Sequence, residues 1–427
     1  MFYKIIILFY YLKTKYFHNF ANRAALEKWQ ENKINKIILR VIAKSQFYNG
    51  YIKNPYCSPL SGLPPINKTV MMDNFDDFNT ARIKLEEALK IAAKAEEDRN
   101  FSPKLGKYSV GLSSGTSGIR GVFLVSPFEQ AKWCGTILGK MLPCSIFRRQ
   151  KIAFFLRADN NLYESIKSNS LNFCFFDLKK DVNENIKRLG EFQPNILVAP
   201  PSMLNLIAEA QQSGDINIYP YKIISVADVL YADTAGKLES VFKQKIHQIY
   251  QATEGLIACT CKCGRLHLNE DILSVRKKYL DKPSGRFIPI ITDFNRITQP
   301  IINYELNDIL VESTEKCLCG SVFTGIEKIE GRCDDILYYT DNKGVKHTVF
   351  PDFIIRTILK HIPKAGDFLF AQTDINTAVL FLETNECSEG LLQALKEIIP
   401  IEITVEALQR PANLSVKRKR VVRKFNP

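Results

Sequence analysis

The sequence lacks a stretch long enough to cross a bilayer, which takes about 20 apolar residues. The apolar run Ile5 to Leu12 is closed by Lys13 and Lys15. No small-residue cleavage site follows it, so a secretory signal is not expected. The run reads instead as an N-terminal helix that packs or touches a membrane surface. Internal repeats and low-complexity tracts are missing, which excludes solenoids and disordered spacers. No Gly-Lys-Ser/Thr ending follows any glycine-rich loop, so P-loop NTPase machinery is not indicated. Aromatics do not interleave with Lys and Arg, and no nucleic-acid motif is present, so nucleic acid is not an expected partner. The eleven cysteines are an odd number. Without a secretory signal they argue against a disulfide framework and for the cytoplasm, where ATP is available.

What remains is an ordinary globular composition: 427 residues, 46% hydrophobic and 24% charged. That suffices for one large and one small domain. The net charge is +13, which suits nucleic acid, acidic membranes or phosphorylated small molecules. Part of the excess sits in the tail, Lys417-Arg418-Lys419-Arg420 and Arg423-Lys424. Charge alone therefore does not choose among these partners.

Patterning gives an architecture. Residues 1–50 read as helical, with Ala24, Leu26, Trp29, Ile34, Ile37, Ile38 and Val41 on one face. Tyr51 to Pro65 is a loop rich in Pro, Gly and Ser. Phe75 to Asn100 reads as a helix with Leu85, Leu89 and Ala92 on one face. Then short apolar runs (151–156, 173–176, 196–199 and 223–226) alternate with amphipathic segments (162–168, 182–189, 203–212 and 234–245). Such alternation predicts an α/β fold with a largely parallel sheet and ligands at the carboxyl ends of its strands. The predicted large domain is 1–331, with a cysteine-rich segment at 259–320. The small α+β domain is 332–427: helix 353–362, strand 377–382, helix 389–398 and strand 401–407.

Four segments carry candidate chemistry. Ser113-Ser114-Gly115-Thr116-Ser117-Gly118 is a loop whose glycines and hydroxyls can offer many donors to a phosphate, with Arg120 adding charge. Tyr250-Gln251-Ala252-Thr253-Glu254-Gly255, Pro300-Ile301-Ile302-Asn303-Tyr304-Glu305-Leu306-Asn307-Asp308 and Gly331-Arg332-Cys333-Asp334-Asp335 follow in order. Singly, each is also consistent with a surface turn or an exposed ion pair. Separately, Cys259-Thr-Cys261-Lys-Cys263-Gly264-Arg265-Leu266-His267 and Cys317-Leu-Cys319-Gly320 are two thiol-bearing turns. Two such turns can complete a tetrahedral zinc site, although buried free thiols give the same pattern.

Together the four ordered segments resemble the adenylate-forming superfamily of acyl-CoA synthetases. In particular they look like its phenylacetate–CoA ligase branch, which includes a deazaflavin-coenzyme adenylyl synthetase. The resemblance covers roughly residues 20–425. It departs from the family at Gln251, which stands for a Gly, and at Asn303 and Glu305, which stand for two arginines. It implies ATP and Mg2+ as cofactors and a small carboxylic acid as substrate, with coenzyme A or a carrier thiol as acceptor. It places the loop 113–118, Arg120 and Tyr250 at the nucleotide. Thr253 and Glu254 go to the phosphates, Glu254 holding magnesium. Asp308 goes to the ribose, Arg332 to ribose or phosphate, and Asp334 to a hinge. The catalytic lysine is expected at Lys417, with Lys419 as second candidate and Val416 in place of the usual Gly. The acid is expected near 199–202 and 225–230. The branch's Cys-x5-His and Cys-x-Cys pattern implies Cys261, His267, Cys317 and Cys319 as structural zinc ligands, with Cys259 and Cys263 as substitutes. The competing expectation is a catalytically degenerate, zinc-stabilised binding protein of the same fold.

Overall fold

A computed structural model describes residues 2–17, 19–56, 60, 62–98, 103–112, 121–156, 170–362, 367–383, 389–408 and 419–425. They form two compact units, Met1–Leu306 with Glu312–Lys328, and Asn307–Val311 with Ile329–Pro427. The phosphate-loop residues 113–120, the segment 157–169 and Lys417 lie outside the described residues.

The first unit opens with helices α1 (Phe2–Leu12), α2 (Arg23–Ile42), α3 (Gln46–Tyr51), α4 (Lys68–Asp73), α5 (Phe75–Phe78) and α6 (Leu85–Glu97). Asn22 starts α2 by accepting the Ala25 N–H on its side chain. The buried face of α2 is Leu26, Gln30, Ile37, Ile38 and Val41, while Ala24 is exposed. Gln30 replaces it inside because its amide donates to the carbonyls of Glu270 and Leu273, at 2.7 and 3.2 Å. A buried amide with both bonds made carries little penalty.

The single helix expected over 75–100 is two. Asn79 breaks it, its side chain bonding the carbonyls of Phe75 and Ile83 and the N–H of Ile83. Asp76 then caps α6 by accepting the Leu85 N–H at 2.8 Å. Short polar side chains of this kind compete with helical hydrogen bonds. Consequently Ala88, Ala92 and Ala95 face inward and Leu89 outward.

Strands β1 (Lys104–Leu105), β2 (Tyr108–Leu112) and β3 (Val122–Val125) form a small antiparallel sheet. Helix α7 (Pro127–Met141) begins with a reciprocal Ser126–Glu129 capping box. Then come β4 (Gln150–Leu156), β5 (Leu171–Asp177), α8 (Val182–Phe192), β6 (Ile196–Ala199), α9 (Pro201–Ser213), β7 (Lys222–Ser225), α10 (Ala232–Phe242) and β8 (Ile246–Ala252). The strands β5-β4-β6-β7-β8 pair in parallel. Every residue of β6 and β7 is buried, as expected of a sheet covered on both faces. This is the α/β layout read from the alternation of apolar runs. Antiparallel strands β9 (Gly255–Thr260) and β10 (Leu266–Leu268) extend the sheet. Strand β12 (Arg286–Asp293) pairs antiparallel with both β11 (Leu273–Asp281) and β13 (Tyr304–Glu305).

Strands β14 (Asp308–Glu312) and β15 (Gly325–Arg332) contribute residues to both units. The second unit continues with a 3-10 turn (Cys333–Asp335), the hairpin β16 (Leu337–Thr340) and β17 (Lys346–Val349), and α11 (Pro351–His361). A sheet ordered β20-β19-β18-β21 follows, built from β18 (Phe368–Asp374), β19 (Thr377–Leu382), β20 (Glu402–Ala407) and β21 (Val421–Arg423), with helix α12 (Glu389–Ile398). Part of the basic tail is thus structured: β21 pairs in parallel with β18, Val421 is buried, and Arg423 donates to the carbonyl of Asp334.

Candidate active site and metal centre

Strands β8 and β9 form a tight hairpin in which Ala252 pairs with Gly255, leaving Thr253 and Glu254 at the tip. A register shift between Tyr250 and Gln251 twists the strand just before that tip. Gln251 is exposed, so its side chain fits where the family has Gly. Gly255 is required by close approach. A Cβ there would lie 2.9 Å from an Asp293 carboxylate oxygen.

Both carboxylate oxygens of Glu254 are oriented. The buried Tyr304 hydroxyl donates to Oε1 at 3.1 Å, and the Thr253 hydroxyl donates to Oε2 at 2.9 Å. Arg296 braces the tip from below, donating to the Thr253 carbonyl at 2.9 Å. Arg296 in turn is fixed among Gln299, the Leu124 carbonyl and two buried acids. Burial favours protonation of Glu129. Arg296 and the hydroxyls of Ser126 and Thr298 outweigh that effect and hold it below the usual carboxylate range. Asp293 lacks such compensation: burial pushes it up to about 6, against the Asn295 N–H and Arg296. A small cleft at this tip is lined by Lys68, Gly121, Thr253, Glu254, Arg296 and Gln299. It pairs cations with one oriented carboxylate, a composition suited to phosphate and a hard divalent ion.

The two positions where the motif lacks arginine have structural replacements. Asn303 adopts a left-handed φ of 53° and donates to the Tyr51 hydroxyl at 2.7 Å. Its side-chain amide oxygen accepts from Arg276 at 2.6 Å. Glu305 pairs with Lys278 at 2.9 Å. Both cations come from β11.

In the second unit, Arg332 lies 3.6 Å from Asp308. Asn307 donates to the Asp334 carboxylate, and Lys419 grips both oxygens of Asp335 at 2.8 Å. Lys419, the second candidate for the catalytic lysine, is therefore engaged in a half-buried ion pair. Burial nevertheless outweighs Lys419 and leaves the Asp335 carboxyl raised.

Cys261, His267, Cys317 and Cys319 bring their ligand atoms within 4.8 Å of one another. Cys261 and Cys317 sulfurs are 3.7 Å apart, and Cys319 Sγ is 3.5 Å from His267 Nε2. A tetrahedral zinc ion, with bonds of about 2.3 Å to sulfur and about 2.1 Å to nitrogen, sets neighbouring ligands about 3.5–3.8 Å apart. His267 is buried, and its Nδ1 is 3.1 Å from the Phe323 carbonyl. Donation there leaves Nε2 free to ligate. Each thiol turn closes on a glycine with positive φ, Gly264 at 82° and Gly320 at 75°. Arg265 ties the turns together through Ser313 and Glu315. Cys259 and Cys263 are not in the group. Cys259, on β9, is buried against Asn269, and Cys263 is exposed.

The segments 199–202 and 225–230 follow the carboxyl ends of the parallel strands β6 and β7. Ser225 is buried and its hydroxyl has no partner among the described residues, while Ala227 takes a left-handed φ of 71°. Such backbone at a strand end is a common feature of binding loops. Sequence reasoning missed Arg296, Glu129, Asp293 and the role of Tyr304. No local motif marks Arg296 or Asp293, and the Ser-x-x-Glu capping pattern marks Glu129 only as a helix cap; their joint role arises when separate segments meet.

No family model matches the sequence, and no curated protein matches it. Solved structures do. The chain is similar to 2-hydroxyisobutyryl-CoA ligase in the postadenylation state in complex with R3-HIB-AMP, at TM-score 0.70 and 14% identity, covering 95% of this chain and 90% of that one. An open conformation of the same ligase with 2-HIB-AMP and CoA gives TM-score 0.61 and 12% identity over 95% and 93% of the chains. The amide bond synthetase McbA from Marinactinospora thermotolerans gives 0.52 and 9% over 71% and 66%. At these identities the likeness is one of fold, and this chain has the adenylate-forming ligase fold along nearly its whole length.

Proposed function

We propose that the protein is an ATP-dependent adenylate-forming ligase acting on a small carboxylic acid. A carboxylate oxygen would attack the α-phosphorus of ATP, the bond to the β-phosphate bridging oxygen would break, and pyrophosphate would leave. A thiol such as coenzyme A would then attack the acyl carbon and release AMP. The observation that carries this reading is the Thr253–Glu254 hairpin tip, held by Tyr304 and Arg296 beside a cationic cleft. Negative charge gathers in the transition state, so fixed donors and cations must be in place before reaction. Thr253 would donate to a phosphate and Glu254 would hold magnesium, which neutralises phosphate charge when bound.

Further roles follow the same reading. Residues 113–118 and Arg120 would wrap the phosphates, with Tyr250 at the nucleotide. Asp308 would accept from the ribose hydroxyls and Arg332 would steady it. Asp334 would be the hinge of the small domain, 332–427, and Lys417 would approach the α-phosphate. The Lys419–Asp335 pair favours Lys417 over Lys419 for that role. Cys261, His267, Cys317 and Cys319 would hold structural zinc, closed to substrate because all four positions are protein atoms. That ligand set supports the phenylacetate–CoA ligase-like branch, and a cytoplasmic setting suits it.

The second reading, a degenerate binding protein, rests on Asn303 and Glu305. Both are accommodated in the fold, Asn303 by Arg276 and Glu305 by Lys278. Acid-dependent exchange of labelled pyrophosphate into ATP, run over a panel of carboxylic acids, separates the two. The ligase supports exchange with at least one acid. A degenerate protein supports none and shows no ATP binding.

A further inference from the structure

We propose that α1 docks the protein onto an anionic phospholipid surface, with its outer apolar stripe inserted among the headgroups. One side of α1 is fixed to the protein. Ile6, Ile7 and Tyr11 are buried, and α7 approaches so closely that a Cβ at Gly135 would lie 2.3 Å from the Ile7 carbonyl oxygen. A Cβ at Gly139 would lie 2.8 Å from Thr14. The helix is thus a seated element presenting a defined outer face.

That face is apolar. Phe2, Ile5, Phe9 and Leu12 recur at steps of three and four residues and fall on one stripe. Phe2 is 65% exposed, and Ile5 and Phe9 are each 58% exposed. Tyr16 and Phe17, also exposed, extend it. Scattered surface apolar residues are ordinary, but a continuous aromatic stripe marks an interaction site. Its eleven residues make a helix about 16 Å long. That suits lying in the interface plane. Among the described residues no helix is long and apolar enough to cross a membrane.

Charge identifies the occupant. No Asp or Glu precedes Glu27, while Lys4, Lys13 and Lys15 do; Arg23 is taken up by Glu27 and Glu270. Lys33, Lys36 and Arg40 of α2 add to this field: Lys33 is pushed below its ordinary value by burial and by Lys13, Lys36 and Arg40. Lys13 and Lys132 both lie over the Tyr10 ring, at 5.7 and 5.4 Å. Lys132 is almost fully buried and has no ion pair among the described residues; Glu129 and Asp293 bear on it electrostatically. The acid facing Lys13 is Asp271. Basic residues beside an exposed aromatic helix face are complementary to phosphate-bearing headgroups over hydrocarbon.

Co-sedimentation of the full chain with vesicles tests this, without ATP and so independently of the ligase reading. Phosphatidylcholine vesicles containing 30% phosphatidylserine should capture the protein, and pure phosphatidylcholine or 0.5 M salt should release most of it. A Phe2→Ser/Phe9→Ser double variant, whose changes avoid the face seated on α7, should bind at least tenfold more weakly with unchanged Tm. Lys36→Gln should cost about fivefold. Soluble glycerophosphoserine should not displace the protein. No capture at low salt, or equal capture of the double variant, would overturn the proposal. So would a wild-type dimer that the double variant converts to monomer, since the stripe would then be a subunit interface.

Discussion

Strand β9 carries two kinds of site at its two ends. Glu254 precedes Gly255 at one end, and Cys261 follows Thr260 at the other, seven residues on and about 23 Å away along the strand. The cysteine end is closed: three sulfurs and one imidazole face one another, tied by Arg265. The glutamate end is open: hard oxygens are oriented by Tyr304, Thr253 and Arg296 toward a cleft. Under the proposed function, one end would hold a soft, permanent ion, and the other a hard ion that arrives with a phosphate. Perturbing each end should therefore give opposite signatures, one in stability and one in turnover.

The largest effect is expected at the open end. Glu254→Gln should lower acid-dependent pyrophosphate exchange at least 100-fold while leaving Tm within a degree or two, as loss of one pre-placed electrostatic group does. Next, Cys317→Ser should abolish near-stoichiometric zinc by metal analysis and lower Tm by roughly 5–10 °C. If both variants lost activity and stability alike, the contrast between the two ends would collapse. Arg296→Met should slow exchange about tenfold through displacement of the hairpin tip, with a smaller loss of stability. Tyr304→Phe removes one hydrogen bond to Glu254 and should cost about fivefold.

Stability should also depend on pH through Asp293. Asp293 is raised to about 6 from 3.8. The folded state therefore holds the proton more tightly than the unfolded chain. Stability is full below about 3.8, falls as pH rises towards about 6 and is flat above, a change on the order of 3 kcal/mol. Asp293→Asn should flatten that part of the denaturant-midpoint profile, and a profile unchanged by the substitution would remove Asp293 from the account.

The closed end was the more legible in sequence. Cysteine spacing and flanking glycines encode the two turns directly, while the choice of Cys261 over Cys259 and Cys263, and of His267, came through the branch pattern. The strands at 151–156 and 196–199 and the small-domain elements were legible because apolar runs and helical periods are local. The split of 75–100 was not, because Asn79 acts through side-chain bonds that compete with helix period. Nor was the folding back of Val421–Arg423 as an edge strand beneath a basic tail. At the open end, Thr253 and Glu254 were read from a motif. Arg296, Asp293 and Glu129 were not, because their roles depend on three segments meeting under one hairpin.

The central claim is that the Thr253–Glu254 tip serves adenylate formation. Its most direct test is pyrophosphate exchange in the wild-type chain and the Glu254→Gln variant, side by side, with a panel of carboxylic acids. The account predicts exchange that requires both ATP and an acid in the wild type, and its near-complete loss in a variant that still melts normally. Exchange at equal rates in both proteins, or none in the wild type with any acid together with no ATP binding, would contradict it.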